Sequence, residues 1–172
     1  MRLATAVLAV TLIGASVLAR ALADDSQHDH ASHYRAPGEA ASAELVLPDH
    51  LREKLVVEMR AISESMGLLL THLAMGEADS AADVAGKIRD TFILKQELSQ
   101  DELKELISLL PERFITMDRA FHGTAGKLST AAASGDFTAA IEHFATMSEA
   151  CVSCHASYVA QRFPDLRSET GK

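Results

Sequence analysis

The chain has 172 residues, with 16 Lys and Arg against 24 Asp and Glu for a formal net charge of −8, and two cysteines. That acidity argues against nucleic acid or an anionic membrane as partner, and it suits plain solubility or docking to a basic patch on another protein. The length fits one domain with a substantial core.

Met1-Arg2 gives a positive start, Leu3 to Leu18 is apolar, and Ala21-Leu22-Ala23 is a small-x-small cleavage site before Asp24-Asp25. Residues 1–23 read as a secretory signal peptide cleaved after Ala23. A retained anchor fits less well, because the apolar run of about 16 residues falls short of the roughly 20 that span a bilayer. The expectation is an exported, periplasmic chain beginning at Asp24, made more acidic by the loss of Arg2 and Arg20.

Residues 24–48 are polar, Ala-rich and aperiodic, with Pro37-Gly38 inside and Pro48 closing the stretch, so they read as a flexible leader. His28, His30 and His33 cluster there and form a tract that can hold Cu(II) or Zn(II), although such tracts are more often incidental.

From Asp49 the hydrophobic period is helical. Leu51, Leu55, Met59, Ile62, Met66, Leu69 and Leu73 recur at steps of three and four and form one stripe on a helix over 49–75, capped by Asp49 and stopped by Gly76. A second helix is predicted over 79–97, with Val84, Ile88, Thr91, Phe92 and Leu98 facing inward. Ser99-Gln100-Asp101-Glu102 reads as a capping box that opens a short helix to Leu110. Pro111 suits the first turn of the next helix, whose stripe is Phe114, Met117, Phe121 and Leu128. Gly135 ends that helix and Asp136 caps the last one, whose stripe is Phe137, Ala140, Phe144, Met147, Cys151, Cys154 and Tyr158. Four long amphipathic helices with short links predict an all-α, antiparallel up-down-up-down four-helix bundle over 49–163, followed by a tail at 164–172.

Cys151-Val152-Ser153-Cys154-His155 has the spacing Cys-x-x-Cys-His that attaches a c-type haem. One helical turn separates the sulfurs and the adjacent imidazole points the same way, so two thioether bonds from Cys151 and Cys154 and one iron ligand from His155 can converge on a single porphyrin. A disulfide across so short a loop would constrain little chain entropy. A redox dithiol belongs near a βαβ pattern, and no strand pattern is visible. The haem therefore belongs on the C-terminal helix.

The second axial ligand has to come from another helix. The motif lies about nine residues, or about 14 Å, before the end of the last helix near Arg162, and the first helix runs antiparallel to it. The facing level is close to position 58, where Met59 stands, and thioether sulfur is a good ligand opposite histidine. Met117 on the third long helix is the rival, and any of these methionines could instead be core filler.

The Cys151–Tyr158 segment, the Ala132-Ala133-Ser134-Gly135-Asp136 turn and the Ser65-Met66-Gly67 step resemble the cytochrome c-prime superfamily over about residues 49–163. The resemblance implies an exported four-helix-bundle cytochrome with one covalently bound haem c and, in many relatives, a homodimer formed by the faces of the first two helices. It also implies that the residue eight before the glycine of the first helix approaches the distal face of the iron. Here that residue is Met59; high-spin members carry an apolar residue there, and low-spin members carry a ligating methionine.

The sequence departs from the family where Tyr158 is followed by Val159 instead of arginine, which leaves Arg60 and Arg162 as candidates to meet the propionates. His122 is expected to be exposed. The resulting expectation is a non-enzymatic periplasmic single-electron carrier with a His/Met-ligated haem and a redox partner protein. The alternatives are a high-spin NO/CO-binding protein with an open distal site, and a haem-free helical module.

Overall fold

The computed structural model describes residues 44–90 and 97–166, all within the compact unit Ala40–Lys172. The predicted signal peptide, the His28/His30/His33 tract, Thr91, Phe92 and most of the C-terminal tail lie outside the described residues. The elements are α1 (Asp49–Met75), α2 (Ala78–Arg89), α3 (Gln100–Leu109), α4 (Glu112–Ala133) and α5 (Phe137–Tyr158), with a 3-10 turn over Pro164–Leu166. Among the described residues every element is helical, as the stripes require, and α1, α2, α4 and α5 are the elements of a helical bundle.

Most of the boundaries obey local chemistry. Gly76 sits at φ 72° and closes α1 with its N–H on the carbonyls of His72 and Leu73, a conformation that only a residue without Cβ adopts cheaply. Ser99 and Glu102 form the expected capping box, with the Ser99 N–H donating to the Glu102 carboxylate at 2.8 Å and the Glu102 N–H to Ser99 Oγ at 3.3 Å. The Ser99 N–H, and the Ser99 hydroxyl that donates to the same carboxylate at 2.7 Å, lower the Glu102 pKa to about 2, reinforced by Lys54. Asp136 caps α5 by accepting from the Ala139 N–H at 3.0 Å.

Three expectations are corrected. Pro48 and not Asp49 is the N-cap of α1; Asp49 is the first helical residue, and its carboxylate instead accepts from Arg52 at 2.7 Å. α2 ends at Arg89, well short of residue 97: the N–H of Asp90, a poor helix former, closes the last turn on the Gly86 and Lys87 carbonyls, and its carboxylate takes the Arg89 guanidinium in two contacts of 2.9 Å. The end of the supposed leader is pinned: the Leu45 N–H donates to the Tyr158 carbonyl at 2.8 Å, and Leu47 is only 7% exposed.

The core divides along the bundle. Leu69 and Leu73 of α1, Ala81, Val84, Ala85 and Ile88 of α2, Ala125, Leu128 and Ala132 of α4, and Ala140 and Met147 of α5 form one buried cluster. The α2–α4 pair is the most extensive, and alanines on both partners let the helices approach closely. A Cβ added to Gly126 would lie 3.1 Å from Arg89 Cδ, which shows how tight this interface is. A second, smaller cluster of Leu47, Leu51 and Leu106 packs α3 on the start of α1. It is reinforced by the Lys54–Glu102 ion pair at 3.1 Å.

Candidate haem site

The helical period places Cys151, Cys154 and His155 on the second half of α5, one turn apart on the stripe that carries Ala140 and Met147 into the core. There the burial changes. Met147 is fully buried, whereas both cysteines and His155 are half-buried, as are Phe114, Met117 and Phe121 on the adjoining half of α4. Tyr158 closes this end, buried, with its ring edge-on to Phe114 at 5.2 Å and 70°.

Burial shifts the titration of these groups. It pushes the Cys154 thiol up to about 11, with the negative charges of Asp118 and Cys151 adding to the effect, and it raises Cys151 as well. No disulfide joins the two cysteines. A redox-active Cys-x-x-Cys pair needs a depressed thiol pKa, so the direction found here argues against that chemistry. Burial pushes His155 the other way, below the ordinary histidine value, which keeps its imidazole neutral, the form that binds a metal. Two sulfurs one helical turn apart and an adjacent imidazole whose neutral form burial favours, all half-buried, are a donor set that fits a covalently attached haem.

The structure treats the other singled-out residues differently. Met59 is not on the buried face of α1: it is 36% exposed, while its neighbour Glu58 is 3% exposed. At about 100° per residue, positions 51, 55, 58, 62, 66, 69 and 73 keep within about 80° of arc, and position 59 falls at the rim of that face. Steps of three and four do not distinguish 58 from 59, so the stripe read from sequence took the apolar neighbour.

His122 is buried, against the expectation of exposure. Its Nδ1 lies 2.5 Å from the Ile88 carbonyl, which can only accept, so Nδ1 carries a proton. Its Nε2 faces the Asp118 carboxylate at 3.4 Å. Burial opposes the charged ring, but the Asp118 contact, the Ile88 carbonyl and the charge of Glu58 together outweigh it and raise the pKa. Of the propionate candidates, Arg60 is exposed on α1 and Arg162 has its guanidinium carbon 6.0 Å from the Phe163 ring centroid. Phe163 itself stacks on His155, a contact that helical periodicity cannot reveal because Phe163 lies beyond the end of α5.

An all-helical chain carrying a Cys-x-x-Cys-His donor set on its last long helix defines a c-type cytochrome. The family model Cytochrome C' matches residues 56–159, and the chain belongs to that family of four-helix-bundle proteins, which bind one covalently attached haem c per chain. No curated relative and no solved structure matched the chain.

Proposed function

We propose that this cytochrome is an exported, periplasmic single-electron carrier, and not an enzyme, in which Cys151 and Cys154 hold the haem by thioether bonds, His155 is the proximal iron ligand and Met59 the distal one. The haem supplies an iron that takes up and returns one electron at a time. The observation that carries the reading is the placement of Cys151, Cys154 and His155 within about one turn of α5, half-buried on the helix that packs against α4. Burial of the ligands and a thioether opposite histidine both favour the reduced iron and raise the potential.

The signal peptide read over residues 1–23 supports export, and the acidic chain supports a redox partner with a basic patch. Among the described residues no helix is long and apolar enough to cross a membrane. Val57, Leu68 and Met75 are exposed and share one outer face of α1, at spacings of about three and two turns, which supports a second copy of the chain as a further partner.

The position of Met59 at the rim of the α1 face, beside the inward Glu58, supports a second reading, in which its sulfur stays off the iron and the distal side admits NO or CO. Spectra of the oxidised and reduced holoprotein separate the two. A low-spin reduced spectrum that CO leaves unchanged, and that Met59→Ala converts to a CO-responsive one, is expected for the carrier. A high-spin spectrum that responds rapidly to CO in the unaltered protein overturns it in favour of gas binding. Met117→Ala is the control, since Met117 is the half-buried methionine of α4.

A further inference from the structure

Beyond α5 the chain turns back on itself. Val159 leaves the helix at φ −138° and ψ 37°, its N–H still bonded to the His155 carbonyl at 3.1 Å. The Val159 carbonyl then accepts from the N–H groups of both Arg162 and Phe163, at 3.0 and 3.2 Å, and the Phe163 carbonyl accepts from Leu166 at 3.1 Å. This hydrogen-bonded turn brings the Phe163 ring against the His155 imidazole with centroids 4.8 Å apart and planes inclined by 13°. The Arg162 guanidinium lies 6.0 Å from the same phenyl centroid.

A histidine that binds a metal is ordinarily oriented by a hydrogen bond from its other ring nitrogen to a carboxylate or a carbonyl. Among the described residues no hydrogen bond or ion pair engages the His155 ring; the contact that restrains it is the Phe163 face. A flat ring stacked on an imidazole blocks rotation about the bond that joins the imidazole to its Cβ, and it covers one face from water. It does so without adding the electron density that a carboxylate partner supplies.

We propose that Phe163, held by the Val159 turn with Arg162 at its ring, is the positioning residue for the iron ligand His155, setting the plane of the imidazole by stacking in place of a hydrogen bond. The inference rests on His155 being the proximal ligand. Its consequences are a narrow range of ligand orientations and a proximal side screened from solvent. Both are lost when the ring is replaced by a side chain of similar bulk that is not flat.

The test uses the haem-loaded full chain. Phe163→Leu is expected to shift and broaden the g values of the ferric EPR signal and to lower the reduction potential, because water that reaches the imidazole favours the ferric charge. Phe163→Tyr, which keeps the ring, is expected to restore both. A Phe163→Leu protein with the parent EPR envelope and potential overturns the proposal. Proton NMR of the unaltered protein in its diamagnetic reduced state, with CO present, provides a check independent of any variant. Cross-relaxation between the ring protons of Phe163 and His155 supports the stack, and its absence overturns it. Retention of the parent spectrum in His155→Ala would show instead that the ligation reading has failed, and the proposal with it.

Discussion

The two ends of the bundle are built from similar residues and packed to different degrees. Where α2, α4 and the first half of α5 meet, leucines, alanines and Met147 are buried as in any close-packed core. Where α4 begins and α5 ends, the same stripes continue through Phe114, Met117, Cys151 and Cys154, and these side chains stay half-buried, as do Phe121, Phe137 and Phe144 at the margin of the buried cluster. The difference teaches that an unbroken hydrophobic period states which way a side chain points and not how completely it is covered. The covered end holds the helices together, and the half-covered end carries the groups suited to a cofactor.

The comparison yields expectations that decrease in size. Changing Cys151 and Cys154 to Ser together should abolish covalent haem entirely, read by haem staining on a denaturing gel. Circular dichroism should still report a helical chain, because the buried cluster does not include either cysteine. Loss of helix along with the stain would erase the distinction between the two ends.

Leu128→Ala, at a fully buried position, should cost about 3 kcal/mol in denaturant unfolding, within the roughly 2 to 5 kcal/mol range for such cavities. Met117→Ala, half-buried, should cost clearly less. Equal losses would break the comparison.

His122 joins α4 to α2 beside the buried cluster, and it holds its proton more tightly in the folded chain than in the unfolded one. Its contribution is therefore complete below the ordinary histidine value of 6.5 and fades as pH rises through the raised folded value. His122→Leu should destabilise the protein by about 1 to 3 kcal/mol on the acid side, and by less on the alkaline side. A destabilisation that does not change with pH would show that His122 serves only as packing. The smallest effect belongs outside both ends: Ser99→Ala removes the cap of α3 and should cost about 1 kcal/mol, with the haem spectrum unchanged.

Much of this was legible residue by residue. Gly76, Ser99, Glu102, Gly135 and Asp136 act locally, through a permitted φ or a side chain that reaches its own backbone, and their roles follow from a few neighbouring letters. Cys151, Cys154 and His155 form a contiguous motif, so their convergence on one turn needs nothing beyond helix geometry. Met59 and Glu58 were not separable in this way. They differ by one position at the rim of the α1 face, and only the packing of α1 against its neighbours buries one and exposes the other. His122 was misplaced for a related reason: its burial depends on a carbonyl of α2 and a carboxylate one turn back on its own helix, and together these satisfy a polar ring within the bundle.

By itself the sequence determined an all-helical bundle, its turns, and a Cys-x-x-Cys-His site on the last long helix, because each of these depends on short-range periodicity and spacing. The tertiary structure alone decided how deeply that site is covered, that burial lowers the His155 pKa and raises those of both cysteines, and that Phe163 lies on the imidazole. Those outcomes depend on desolvation and contact between segments that no local pattern relates.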